Sequence, residues 1–447
     1  MIGNITFQFI DNLIKSTGNI GEKERNEAKK GLIDFLATAF ASSKNKNIEQ
    51  FIDFFIAEHG MGNQFVIGYN KKLNASDAAL VNGFLLHYYD YDDVHSDLRG
   101  HASSVILPAL LSYSHKFNYN FNHFIDSYIV GIEVAARIGR TIGSQHYEKG
   151  WHTSSTIGVI AATAACAYFL SLEKEKFANA LGIAITEASG LRAQFGTDVK
   201  PLHIGLSAQK AYMAVAYSEK NIVEGNKDML PLFYEMFSDK NKIPNDIFIE
   251  PRQGWAIHDP GLWFKLYPCC SANYHAIDAT IEIQQKYDLL IEDIAQINVI
   301  FPSNGDSALK FTQPQNGLEG RFSVEFVISK LLKNKKLTLE DFLENTIEPD
   351  IQNIMTKIQR VYDDTIKPNN NALPLGRFTI VEIITNSNQS YSVRIDTPKG
   401  SPKKPLSLKE LIGKLEIYAP KHADNIECLK NVENTHELLS YIKNGRV

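Results

Sequence analysis

Three histidines and four aspartates fall within fifteen positions of the stretch HYYDYDDVHSDLRGH: His87, His95 and His101, with Asp90, Asp92, Asp93 and Asp97. Imidazoles beside carboxylates can hold a metal, move protons, or do no more than solvate a helix end. A metal site would carry a fixed ligand pattern such as HExxH, and none is present, so proton transfer is the reading carried forward. Three further segments hold residues of chemical use. YEKGWHTSS places His152 before Thr153 and Ser154 at the start of an apolar helix, where backbone N–H groups would suit a carboxylate. RAQFGTDVKPLH carries Arg192, Lys200 and His203. Gly196 breaks a helix there and Pro201 fixes the chain ahead of a helix near Gly205, which would hold Lys200 and His203 on a rigid loop. KLYPCCSANYH carries Lys265 and Cys270. Each has a plainer reading as well: a packed histidine, a surface lysine, a buried cysteine.

The elements that must position these residues are mostly helical up to about residue 264. Helical apolar spacing runs through Ala28–Ser42, Ser76–Tyr89, Phe121–Thr141, Ser154–Leu172, Lys176–Ser189 and Gly205–Glu219. Ser76 is the expected cap of its helix. Continuation of that helix to about Asp93 would put His87, Asp90 and Tyr91 on one face. The segment Ser154–Leu172 is rich in Ala, Thr and Gly rather than Leu and Phe, so it reads as a buried central helix and not as a membrane span. After Lys265 the pattern changes. Ile297–Phe301 is β-branched, and Phe378–Thr385 and Tyr391–Ile395 flank a polar turn as a hairpin. Helical stretches at Ser323–Leu332 and Leu339–Leu343 lie between them, and Ser407–Tyr418 and Asn434–Tyr441 are helical again. The expected fold is mainly α with an inserted α+β domain: residues 1–264 helical, 265–402 a smaller α+β lid, 403–447 a return to the first domain.

Composition narrows the function. The 447 residues hold 46 Lys+Arg against 51 Asp+Glu, a formal charge of −5, and 44% are hydrophobic. Such a balance gives no general field for nucleic acid or an anionic membrane, so an anion must be gripped locally. Four cysteines without a CxxC pair suit a reducing compartment. The first residues lack a basic stretch ahead of their apolar run, so no secretory signal is expected and a cytoplasmic location is.

Taken in order, HYYDYDDVHSDLRGHASSVILPALL, KGWHTSSTIGVIAATAACA, GTDVKPLHIGLSAQ and KLYPCCSANYHAIDA resemble the MmgE/PrpD family. The likeness continues in GRFSVEFVISKLL and KGSPKKPLSLKELIGKLEIYA. It implies an enzyme on a small-molecule di- or tricarboxylate, free of metal or organic cofactor, with a helical domain, an α+β lid and a homodimeric state. By motif position it implies polar active-site roles for Asp90, His101, His152 and Lys200, and lid-side roles for Lys265 and Cys270. Tyr147 matches a position that is catalytic in the epimerase branch. Val94 follows Asp93 where decarboxylase-type members carry Thr, and Cys270 stands where they carry His.

The chemistry common to such acids is charge developing on carbon beside a carboxylate, which fixed cations and hydrogen-bond donors in a dry pocket must meet. The expectation is a dehydratase-type lyase of a citrate or methylcitrate. His101, oriented by Asp90, moves the proton, His152 or Lys200 serves the leaving group, and Arg99, Arg192, His203 and Lys265 bind carboxylates. Two alternatives stand beside it. One is an epimerase of a substituted succinate such as iminodisuccinate, with Lys200 or Tyr147 facing Cys270. The other is a catalytically silent carboxylate-binding member.

Overall fold

The structure is a computed structural model that describes residues 4–43, 45–238, 254–343, 345–370, 372–374 and 376–446. Parts of the expected helical domain, at 1–3, 44, 239–253 and 447, lie outside the described residues. The chain divides into two units: Met1–Tyr88 with Asp92–Trp263 and Ser407–Val447, and Tyr89–Tyr91 with Phe264–Leu406. It is mainly α with a smaller α+β part. No helix among the described residues is long and apolar enough to cross a membrane.

In the first unit the helices Ala75–His87, Gly158–Phe169 and Val199–Glu219 form the centre. All but two residues of Ala75–His87, and every residue of Gly158–Phe169 except Tyr168, are buried, so neither has a polar face. Small side chains allow that packing. Gly83 and Gly205 face each other where two of these helices cross, and a Cβ at Gly205 would stand 2.3 Å from the Leu80 carbonyl oxygen. Phe121–Ile142 and Ser103–Ser114 wrap Gly158–Phe169. The returning helix Leu408–Tyr418 docks on Glu22–Ser42, where Lys414 donates to Asp34 at 2.8 Å with both side chains buried.

Five local expectations are corrected. The cap of Ala75–His87 is Asn74, not Ser76: its side-chain oxygen accepts from Asp77 N at 2.9 Å. That helix ends at His87 rather than near Asp93, and Asp90 takes a left-handed φ of 53°. The apolar segment from Ser154 is two helices, Thr153–Thr156 and Gly158–Phe169. At the break, the Thr156 hydroxyl bonds back to the His152 carbonyl and meets His146 Nε2, local bonds that compete with a continuous ladder. The single helical turn that follows His152 is too short for the anion site expected there. Lys200 and His203 sit on a helix rather than a loop: Val199–Glu219 begins after Asp198, and Pro201 occupies its first turn, where a missing N–H breaks no helical bond.

The second unit carries a four-stranded sheet in the order Ile358–Tyr362, Ile294–Phe301, Thr379–Thr385, Ser390–Ile395. The first pair is parallel and the other two antiparallel, so the expected hairpin is present within a mixed sheet. Alternate residues Thr379, Val381, Ile383 and Thr385 point inward. They pack with Ile297, Val299 and Phe301 against the helices Tyr274–Lys286 and Val324–Asn334.

Candidate active site

The helix Ala75–His87 delivers His87 at its last position, and the chain then turns so that Asp92 comes back beneath it. His87 Nδ1 lies 2.9 and 3.0 Å from the two Asp92 oxygens. His101 Nδ1 reaches the same carboxylate at 3.2 Å and the Asp93 carbonyl oxygen at 2.8 Å. One carboxylate thus receives two imidazoles, whose ring centroids are 4.4 Å apart. The described partners of both Nδ1 atoms are acceptors, so both carry hydrogen, and in the neutral rings the Nε2 atoms carry the lone pairs.

The loop between them is built to hold His101 in place. His95 pairs with Gly100 by backbone bonds and donates from Nε2 to the Ala256 carbonyl, so His95 serves the loop. His101 N donates to Ser154 Oγ at 2.9 Å, and the Thr153 hydroxyl donates to Arg99 O. A Cβ on Gly100 would stand 2.5 Å from Ser154 Oγ, so only glycine allows this approach.

The same helix pair Thr153–Thr156 and Val199–Glu219 adds the next imidazoles. His152 N donates to Gly190 O, fixing its backbone. Its ring centroid is 6.2 Å from His87 and 5.0 Å from Phe195, and its Nδ1 is 3.2 Å from His203 Nδ1. Lys200 is buried, with Nζ 5.0 Å from the Phe195 ring centroid. Beside them Arg192 stacks on Tyr147 at 3.6 Å and donates to its carbonyl at 2.7 Å, and both are half-buried.

Charge follows from burial and neighbours. Burial pushes the Asp92 carboxyl up, but His101 and His87 outweigh it and hold it well below the usual carboxylate range. Burial takes His87 down to about 3, Asp92 opposing and Lys200 and His101 assisting. His152 is held well below its usual value by burial, then by Lys200, His87, His203 and His101. Asp93 is pushed well up by burial and by Asp34, despite a hydrogen bond from Ser103. The cluster therefore presents one carboxylate, neutral His87 and His152, and a lysine. The Nε2 atoms of His87 and His152 are buried without a hydrogen-bond partner. His87, Asp92 and His101 also bring ligand-type atoms within 4.8 Å of one another, and both Nδ1 atoms bond to the Asp92 carboxylate, an arrangement that suits proton transfer.

Of the residues singled out from sequence, His101, His152, Lys200 and His203 gather in the helical unit, and Tyr147 and Arg192 pair with each other. Arg99 is exposed, with a left-handed φ of 53°. Asp90 and Lys265 meet in the α+β unit, where Lys265 Nζ donates to the Asp90 side chain at 2.7 Å and to its carbonyl at 2.6 Å. Cys270, half-buried in that unit, donates its backbone N–H to Arg321 O. The carboxylate bonded to His101 is Asp92. His87 and Asp92 stand within the His/Asp cluster read from the sequence but have no role assigned there, and their spacing of five across a helix end is the signal that would have paired them.

Two family models match the chain: the MmgE/PrpD N-terminal domain over residues 14–244 and the MmgE/PrpD C-terminal domain over residues 267–438. Among curated proteins, a cis-aconitate decarboxylase of Aspergillus terreus is 26% identical over 443 residues, covering 94% of this chain and 89% of the relative. The human cis-aconitate decarboxylase is 27% identical over 387 residues, 82% of this chain and 78% of its own. The mouse protein of that name is 25% identical over 391 residues, 81% and 75%.

Proposed function

This chain belongs to the MmgE/PrpD family, and from that premise we propose that it is a lyase acting on a di- or tricarboxylic acid of the citrate and aconitate kind. The observation that carries the reading is the Asp92 carboxylate shared by His87 and His101, beside His152 and Lys200. His101 keeps its hydrogen on Nδ1, so Nε2 is the atom that removes an acidic proton from carbon next to a carboxylate. As it does so the ring becomes cationic and Asp92 lies against it. Lys200 meets the charge on the substrate carboxylate, and His152 Nε2 hands a proton to the departing oxygen or to the carbon that lost carbon dioxide. The relatives named as cis-aconitate decarboxylases support a lyase on a tricarboxylate. Val94 and Cys270 depart from the decarboxylase pattern and speak against loss of carbon dioxide as the reaction.

The test is product and exchange NMR in deuterated water over citrate, 2-methylcitrate, cis-aconitate and iminodisuccinate. Loss of water or carbon dioxide from one of the tricarboxylates, abolished to the level of about 10⁻² or less by His101→Gln, supports the proposal. Deuterium entering iminodisuccinate without elimination makes the protein an epimerase and overturns it, and so does a fully active His101→Gln.

A further inference from the structure

The contact between His152 Nδ1 and His203 Nδ1, 3.2 Å apart, is an unusual one. It holds a single proton: two N–H groups would meet hydrogen to hydrogen, and two bare nitrogens would set lone pair against lone pair. A neutral imidazole has one N–H, so the contact links the outer nitrogens. If His152 donates, its Nε2 is bare. If His203 donates, His152 Nδ1 is the acceptor and the hydrogen of His152 sits on Nε2. That Nε2 is buried without a partner, so nothing else among the described hydrogen bonds fixes its state.

We propose that His203 is a positioning residue that sets the tautomer of His152 and supplies it with a proton through the Nδ1–Nδ1 contact. The catalytic part rests on the lyase reading above, and the tautomer part does not. The step balances as follows. His203 starts as the imidazolium and His152 as the neutral Nε2–H form. The His152 Nε2–H bond breaks as an O–H or C–H bond forms on the substrate, and the His203 Nδ1–H bond breaks as His152 Nδ1–H forms. Both rings end neutral, His152 with a bare Nε2, and the substrate anion has gained one proton.

Neighbouring charge gives the relay its direction. His152 is faced by His87 and His101 from one side, by Lys200 and His203 on the helix Val199–Glu219, and by the Phe195 ring. A positive charge on His152 would lie next to Lys200. His203 is faced by His152 and Lys210 and is only half-buried; burial and then Lys210 hold it below its usual value, but it lacks the full burial and the set of Lys200, His87 and His101 that oppose a charge on His152. Its carbonyl accepts from Ser207 Oγ at 2.8 Å and Ser155 Oγ at 3.4 Å, which anchors the ring's backbone. Positive charge is therefore better placed on His203 than on His152.

The test is nitrogen NMR of the full chain labelled with ¹⁵N in the histidine rings, titrated from pH 8 to 5, with His152 assigned by the signals lost in His152→Gln. The expected result is that His203 takes the proton, while His152 passes from a mixture containing the Nδ1–H form to the Nε2–H form without becoming an imidazolium. In His203→Phe that change of tautomer is absent, and the acid limb of the kcat profile is lost with a drop of about tenfold, part of the usual acid–base contribution of roughly 10² or more. His152 protonating before His203, or the same tautomer change persisting in His203→Phe, overturns the proposal. Should His203→Phe fail to fold, the wild-type titration decides alone. Absence of turnover on every acid tried would sink the lyase reading and leave the titration untouched.

Discussion

Replacement of Asp92 by asparagine separates charge from shape at the centre of the cluster. The carboxylate lies 3.2 Å from His101 Nδ1, and at an effective dielectric of about 20 the attraction between it and a full imidazolium is on the order of 5 kcal/mol. With the proton about half transferred, roughly half of that is felt in the transition state. About 2.5 kcal/mol corresponds to roughly 10²-fold in rate. The tautomer of His101 should survive, because its Nδ1 hydrogen also bonds to the Asp93 carbonyl at 2.8 Å. His87 has no such second acceptor among its described bonds. Its Nδ1 lies within 3.0 Å of both carboxylate oxygens, so the amide oxygen of the introduced asparagine still accepts its hydrogen, through a weaker neutral bond. Stability should change little, by less than about 2 kcal/mol, because lost charge-assisted bonds are offset by removal of a fully buried anion. The assay is steady-state turnover on the acid identified above, with thermal unfolding measured alongside. Asp97→Asn is the control, since Asp97 pairs with Arg140 at a partly exposed site and should leave turnover unchanged. An Asp92→Asn protein that is folded and turns over within threefold of wild type refutes the assignment of Asp92 as counter-charge.

Three further outcomes follow from the structure. Burial, with Arg377 assisting, lowers the fully buried His275 from 6.5 to about 3. Between those values the unfolded chain binds the extra proton, so this contribution is present above pH 6.5 and is lost as pH falls. Urea unfolding at pH 7 and pH 5 should show wild type losing about 2 kcal/mol more than His275→Phe over that interval, and equal losses would contradict it. Gly205→Ala forces a Cβ to within 2.3 Å of the Leu80 carbonyl. It should cost about 1–3 kcal/mol in thermal or urea unfolding, together with a loss of turnover, because one of the two helices it pushes apart ends in His87 and the other carries Lys200 in its first turn. Lys265→Met removes the ammonium from the buried Asp90 and should destabilise by about 3–5 kcal/mol, with much of that recovered when Asp90→Asn is added. A double variant no more stable than the single one would show that the pair is not what holds the turn.

Elements with long, locally coded patterns were legible in the sequence, and elements whose partners are distant were not. Phe121–Ile142 was read to within a residue because its apolar spacing spans six turns. The strand Ile358–Tyr362 was missed: IQRVY is short and carries a central arginine. That arginine is accommodated by bonds to Glu325 and Asp306, 35 and 54 positions away. Its pairing with Ile294–Phe301 is parallel, so no local turn announces it. The break after Thr156 escaped notice for the same reason, since the bond that helps set it comes from His146, on a separate short helix.

The candidate site shows the same division at the scale of single side chains. That four segments carry imidazole, carboxylate and ammonium groups could be read from residue types alone. Which carboxylate serves which imidazole could not, because DYDD offers three aspartates within four positions and the choice depends on where the preceding helix stops. It stops at His87, and Asp90 then adopts a left-handed backbone, costly for a residue other than glycine. The compensating contact is the double bond from Lys265 to the side chain and carbonyl of Asp90, 175 positions along the chain. Had the helix continued, Asp90 would have followed His87 by three on the same face, the arrangement expected from the pattern. With the turn in place, the chain reverses and presents Asp92 to both imidazoles. A lysine remote in sequence thus helps fix the register of the acid–base pair, and this is why substitution at Lys265 should disturb the pH dependence of turnover as well as stability.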